Sequence, residues 1–212
     1  MTKIKICGLS RREDISYVNE AMPDYCGFII NFPKSHRNVT PDQVRELTKD
    51  LDRDICPVGV FVNEPMDTIL SLAADGTLGA VQLHGKESPE YVAELKEKLA
   101  GSAGIDADRR IPVIQAFTIF TEADMERAGQ SRADYILLDR GTGTGQTFDW
   151  NLVGEVNRPF FLAGGLSSEN LSDAIGKMHP YAVDISSGVE TDRRKDREKI
   201  LKAVNIIRNY HC

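Results

Sequence analysis

The stretch YCGFIINFPKSHRNVTPDQVRELTKDL, residues 25–51, holds one complete folding unit. It opens on an apolar run, residues 25–30. That run is short and rich in Ile and Phe, as suits a strand buried on both faces of a parallel sheet. A polar loop follows, containing Ser35-His36-Arg37. Thr40-Pro41-Asp42-Gln43 then reads as a capping box with proline at the first helical position. Val44, Leu47 and Leu51 mark one apolar face of the helix so started. The same order recurs along the chain. Apolar runs stand at residues 4–7, 25–30, 58–62, 80–83, 113–117, 135–138, 160–163 and 182–185. Helix-period segments lie between and after them. Tyr91, Val92, Leu95 and Leu99 mark one, and Ile200, Ala203, Val204 and Ile207 mark the last. Asn63-Glu64-Pro65, Ser88-Pro89 and Ser167-Ser168-Glu169-Asn170 supply further start signals. Residues 100–110 are the most loop-like segment. Eight strand-helix units with no antiparallel hairpin signal leave an open doubly wound sheet or a closed (β/α)8 barrel. Eight units in 212 residues favour the barrel, an α/β fold expected to span residues 1–212 as one domain.

Composition narrows the function. The length is enough to bury a large core without disulfide or metal staples. The hydrophobic set is 41% and charged residues are 27%, ordinary globular usage that excludes a disordered, collagen-like or disulfide-scaffold chain. The longest apolar stretch, residues 26–32, contains Gly27 and Asn31 and ends at Pro33, far short of the roughly 18 residues a membrane helix needs. A net charge of −6 with no basic block argues against a nucleic-acid partner. It leaves room for a small anionic ligand, because backbone N–H groups at helix N-termini bind phosphate without net positive charge. The opening MTKIKICGL carries Lys5 and no apolar h-region, so no signal peptide is expected. Cys7, Cys26, Cys56 and Cys212 show no CxxC spacing. They read as reduced thiols of a cytoplasmic protein rather than as a zinc or redox motif.

In a barrel of this kind the chemistry gathers at the carboxyl ends of the strands. The first run ends in Cys7-Gly8 and the second is followed by Arg37. The fourth leads through Gln82 into His84-Gly85, and the sixth ends at Asp139. The seventh runs into Gly164-Gly165. The eighth carries Asp184 and ends in Ser186-Ser187-Gly188. Glycine groups after the last two strands are the usual position of a phosphate cradle in such barrels. Cys7 and Asp139 are the best acid–base pair by position. Spacing alone leaves a structural thiol and a simple Asp139–Arg140 ion pair equally open. Arg37 suits bidentate binding of a carboxylate. His84 suits either a ligand contact or a structural hydrogen bond.

Read together, these residues resemble a known family. Lys5-Ile6-Cys7-Gly8, Val81-Gln82-Leu83-His84-Gly85, Leu138-Asp139, Gly143-Thr144-Gly145-Gln146-Thr147-Phe148-Asp149-Trp150, Phe161-Leu162-Ala163-Gly164-Gly165-Leu166 and Val183-Asp184-Ile185-Ser186-Ser187-Gly188-Val189-Glu190, then Lys195-Asp196, resemble the motifs of the phosphoribosylanthranilate isomerases of tryptophan biosynthesis. Their order and spacing span nearly the whole chain. The resemblance implies a (β/α)8 barrel and an Amadori rearrangement of N-(5-phosphoribosyl)anthranilate. It implies Cys7 as general base, Asp139 as general acid, and Arg37 as the anchor of the anthranilate carboxylate. Gly164, Gly165, Ser187 and Gly188 would hold the phosphate, with Gln82, His84 and Asp184 also on the substrate side. One acid and one base suffice for such a reaction, so no metal and no cofactor are expected. The expected partner is a small phosphorylated substrate, and the expected state a monomer or homodimer. This chain departs from the family pattern at Ser35-His36-Arg37-Asn38, where an aromatic residue usually follows the arginine. It departs again at Thr191-Asp192-Arg193-Arg194, where a glycine-containing turn is usual. Two other readings share the phosphate cradle. One is a sugar-phosphate epimerase or lyase. The other is a barrel that binds a phosphorylated ligand without turnover.

Overall fold

Each of the eight apolar runs forms a strand, and each strand hydrogen-bonds in parallel to two neighbours. The computed structural model describes residues 1–101, 110–139 and 156–210. In chain order the elements are β1 (Lys3–Cys7), α1 (Arg12–Ala21), β2 (Tyr25–Ile30), β3 (Asn38–Val39), α2 (Pro41–Thr48), β4 (Cys56–Phe61), α3 (Met66–Ala74), β5 (Ala80–Leu83), α4 (Pro89–Gly101), β6 (Val113–Thr118), α5 (Glu122–Gly129), β7 (Tyr135–Asp139), β8 (Phe160–Ala163), α6 (Leu171–Met178), β9 (Ala182–Ile185), β10 (Glu190–Thr191), β11 (Arg194–Lys195) and α7 (Arg197–Arg208). The sheet order is β1-β9-β8-β7-β6-β5-β4-β2-β3, and β1 also pairs with β2, so the eight main strands close a barrel and the two-residue β3 lies outside the ring, beside β2. Lys5 stands opposite Tyr25 on one side and Asp184 on the other. The open doubly wound alternative is thereby excluded.

Side chains alternate between the two faces of each strand. The outward set, including Ile4, Ile6, Phe28, Ile30, Leu138 and Val183, is buried under the helices. Of the residues predicted to face it, Val44, Leu47, Val92, Leu95, Leu99, Ile200, Ala203, Val204 and Ile207 are buried; Tyr91 is half-buried, and Leu51, expected on the α2 face, lies beyond the helix end at Thr48 and packs half-buried against the same core. The inward set makes a second, smaller cluster of Val58, Ala80, Ile114, Leu137, Phe161, Ala163 and Ala182. At the amino ends of the strands Phe161 is ringed by Tyr25, Tyr135 and Tyr181, with centroids 5.5–5.7 Å away. Among the described residues this aromatic plug fills the barrel floor, opposite the carboxyl mouth.

The helix starts follow local sequence. Thr40 Oγ1 accepts from Gln43 N at 3.2 Å, and Gln43 Oε1 accepts from Thr40 N at 2.8 Å. That is the predicted capping box at the head of α2. Ser88 Oγ accepts from Tyr91 N at 3.2 Å, just before Pro89 opens α4. Helix α4 runs to Gly101, so the first residues of the segment expected to be a loop are helical, and 102–109 lie outside the described residues. The Gly143 to Trp150 motif, Arg140 and Cys212 also lie outside them.

One expectation is corrected. No antiparallel hairpin was foreseen, yet β10 and β11 pair antiparallel, Glu190 opposite Lys195 and Thr191 opposite Arg194. The two turn residues, Asp192 and Arg193, both have left-handed φ, 50° and 62°. A two-residue hairpin turn of this hand favours Asn-Gly or Asp-Gly. With Arg193 where glycine is usual, the sequence carried no hairpin signal.

Candidate active site

The mouth of the barrel is built from the last inward position of each strand and the loop beyond it. On β1 that position is Cys7, and two residues below it on the same face is Lys5. Lys5 is fully buried inside the barrel, and its Nζ donates to both oxygens of Asp184, at 3.0 and 2.9 Å. Neighbouring Gly27 makes room for this group. A Cβ there would lie 2.8 Å from Cys7 Sγ and 3.1 Å from Lys5 Cε. Burial pushes the Cys7 thiol above its ordinary value; Lys5 pulls it down and Asp184 pushes it up, and the net is upward. Burial lowers the Lys5 ammonium, but Asp184 and Cys7 more than restore it. The thiol therefore sits over a fixed cation whose charge Asp184 balances. Asp184 has both oxygens engaged by Lys5 inside the barrel.

Asp139 ends β7 on the inward face, half-buried. His84 Nε2 lies 3.7 Å from its Oδ2, and His84 Nδ1 is 2.9 Å from Gln82 Nε2. Gln82, His84 and Asp139 thus form one row across the mouth, with Gln82 buried and the other two partly open. Among the described residues, the buried Oε1 atom of Gln82 has no hydrogen-bond partner.

Round the barrel, β9 and β8 lie between β1 and β7. The loops after these two strands carry the expected phosphate cradle, so it sits between the thiol and the carboxyl. Gly164 and Gly165 have φ of 95° and 66°, a left-handed conformation that L side chains rarely adopt. Ser187 and Gly188 open a short 3-10 turn, residues Ser187–Val189. A Cβ on Gly188 would fall 1.9 Å from the Leu166 carbonyl oxygen. The two loops therefore touch, and only glycine lets them.

On the other side of Cys7, the loop after β2 carries Arg37 to the rim. Its guanidinium donates from Nε to Glu190 Oε1 at 2.6 Å and from Nη2 to Glu190 Oε2 at 2.7 Å. Lys195 Nζ donates to the same Oε1 at 2.7 Å. Burial raises the Glu190 carboxyl, but the bonds from Arg37 and Lys195 outweigh it and hold the group at about 2. Glu190, Lys195 and Lys5 were quoted only as parts of motifs. The Arg37–Glu190 and Lys5–Asp184 pairs join residues 153 and 179 positions apart, and the Glu190–Lys195 pair crosses a hairpin whose turn carries no glycine; no local pattern announces them.

A closed parallel barrel with a thiol, a carboxyl and a guanidinium round one mouth, and paired glycine loops between two of them, is the architecture of a (β/α)8 acid–base enzyme. The family model described as N-(5'phosphoribosyl)anthranilate (PRA) isomerase matches residues 4–206. The chain belongs to this family. A curated N-(5'-phosphoribosyl)anthranilate isomerase of Endomicrobium trichonymphae is 42% identical over 214 residues, covering 99% of this chain and all of the relative. A crystal structure of phosphoribosyl anthranilate isomerase from Thermotoga maritima superposes with a TM-score of 0.83 at 38% identity, covering 99% of this chain and 100% of that one. A crystal structure of a phosphoribosyl anthranilate isomerase in complex with reduced 1-(o-carboxyphenylamino)-1-deoxyribulose 5-phosphate gives a TM-score of 0.81 at 38% identity with the same coverage.

Proposed function

We propose that this protein is a cytoplasmic isomerase of tryptophan biosynthesis, one barrel domain working as a monomer or homodimer. It converts N-(5-phosphoribosyl)anthranilate to 1-(2-carboxyphenylamino)-1-deoxyribulose 5-phosphate. The observation that carries the reading is the shared mouth. Cys7 and Asp139 end inward-facing strands on either side of the two glycine loops, and Arg37 lies beyond Cys7 on the same rim.

In this reading the Gly164-Gly165 and Ser187-Gly188 loops receive the phosphate through backbone N–H groups and the serine hydroxyl. Arg37 receives the anthranilate carboxylate. Asp139, protonated, gives its proton to the furanose ring oxygen as the bond from that oxygen to the anomeric carbon breaks. The amine nitrogen lone pair forms the new C=N bond of a Schiff base. Cys7, as thiolate, takes the C2′ proton, and the electrons of that C–H bond become the double bond of an enolamine. Loss of the enol proton and protonation of C1 give the ketone. Gln82 and His84 hold Asp139 at its post. Lys5 supplies a fixed positive charge beneath the thiolate, which is costly to form in a buried site without one.

The test is turnover of phosphoribosylanthranilate by the purified protein, followed as a change in anthranilate fluorescence. A well-folded protein that leaves the substrate unchanged sinks the reading.

A further inference from the structure

Arg37 cannot hold a substrate carboxylate usefully unless its own direction is fixed. Four flexible torsions separate its backbone from its charge, and an unfixed guanidinium pays for each contact in lost freedom. The structure shows what fixes it. The Arg37 stem lies across Gly8: a Cβ on Gly8 would fall 2.3 Å from Arg37 Cδ and 3.2 Å from Ser186 Oγ. That hydroxyl in turn donates to the Cys7 carbonyl at 3.0 Å. The Nε–Nη2 edge of the guanidinium is then clamped by both oxygens of Glu190. Glu190 is itself immobile. Its side chain is only 7% exposed, Lys195 Nζ bonds its Oε1, and His36 Nε2 stands 3.8 Å from its Oε2. Lys195 also donates to the Ser186 carbonyl at 2.9 Å. Glu190 and Lys195 are cross-strand partners in the β10–β11 hairpin, so the clamp is part of a rigid ribbon.

Resting on the functional reading above, we propose that Glu190 is a positioning residue for substrate: it occupies one edge of the Arg37 guanidinium so that the other edge, Nη1 with the second Nη2 proton, faces the carboxylate of the aromatic amine. A planar guanidinium offers two bidentate edges in fixed relation, so gripping one aims the other. The opposite account is that Glu190 competes with the substrate for Arg37. The two accounts differ in sign. An aiming residue strengthens carboxylate binding, whereas a competitor weakens it.

The experiment uses two ligands: reduced 1-(o-carboxyphenylamino)-1-deoxyribulose 5-phosphate and its phenylamino analogue without the carboxylate. Each is titrated calorimetrically into wild type and Glu190→Gln. The variant is expected to bind the carboxylated ligand about tenfold more weakly and the analogue within about twofold of wild type. In turnover, KM should rise in proportion while kcat stays within about threefold. Equal weakening of both ligands means a general structural role and overturns the inference. Unchanged or tighter binding of the carboxylated ligand also overturns it. Should Glu190→Gln fail to fold, Glu190→Asp keeps the charge but shortens its reach, and the same ratio of ligand affinities decides. A wild type with no turnover overturns the functional reading together with this inference. A wild type that turns over while the ligand ratio stays flat overturns the inference alone.

Discussion

Two residues carry the proton transfers, and each is open to direct test. Cys7→Ser replaces a polarisable thiol by a hydroxyl too weakly acidic to serve as base, and Asp139→Asn removes the donated proton. Each should lower kcat by about a hundredfold or more; near wild-type kcat in either variant removes that residue from its role. Burial holds the Cys7 thiol above its ordinary value despite Lys5. The thiolate is therefore scarce at neutral pH, and the rate of Cys7 alkylation by iodoacetamide, followed by mass spectrometry, should climb between about pH 7 and about pH 9. A flat alkylation rate would mean that burial does not hold the thiol up. The charge beneath Cys7 makes a separate prediction about stability. Lys5→Met strands Asp184 as an uncompensated buried carboxylate and should cost about 3–5 kcal/mol. Lys5→Met combined with Asp184→Leu replaces the pair by apolar groups and should recover most of that loss. Urea denaturation of the single and double variants checks this, and a double variant no more stable than the single one would contradict it.

At the scale of elements, the site depends on short segments held in unusual conformations. The β10–β11 hairpin sets Glu190 against Lys195, and it does so through a turn with Arg193 at φ 62°. A left-handed residue other than glycine costs about 1–2 kcal/mol, while glycine costs roughly 0.5–1 kcal/mol more backbone entropy. Arg193→Gly should therefore stabilise the protein by about 0.5 kcal/mol, read as a rise in Tm. A lowered Tm would show that the Arg193 side chain contributes more than its backbone loses. The glycine-free turn at this point shows why local pattern failed here. The hairpin forms because the buried Glu190–Lys195–Arg37 cluster stabilises it, not because the turn residues prefer it. By contrast α2 was legible from Thr40 to Gln43, because a capping box satisfies its orphan N–H groups with side chains three residues apart.

For the whole molecule, a loss of stability in acid follows from its paired carboxylates. Glu190 is held at about 2, against an ordinary value of 4.5. Burial raises Asp134, yet bonds from Val113 N and Lys96 leave it below its ordinary 3.8. A carboxyl whose value is lower in the folded state contributes stability that is complete above its unfolded value and is lost as pH falls through the folded one. For Glu190 that contribution is about 3 kcal/mol, lost between about pH 4.5 and about pH 2. The stability gap between wild type and Glu190→Gln should thus narrow steadily across that window. A gap independent of pH would show that Glu190 does not bear the charge assigned to it. The net charge of −6 has a consequence at the same scale. An anionic substrate gains nothing from the overall field, so its capture rests on the few donors at the mouth.

Sequence by itself determined the strands, most helix starts, and the barrel they imply. These depend on hydrophobic period and capping, interactions between residues at most a few positions apart. It also picked out Cys7, Arg37, His84 and Asp139, because strand ends are where a barrel exposes polar groups. Only the tertiary structure decided what those groups touch. Closure of β1 against β9 brings Lys5 to Asp184, and the ribbon after β9 brings Glu190 to Arg37. These are charges buried or nearly so, stable only when paired. The pairing is made by strands that meet because the barrel closes on itself, and no stretch of neighbouring residues encodes it.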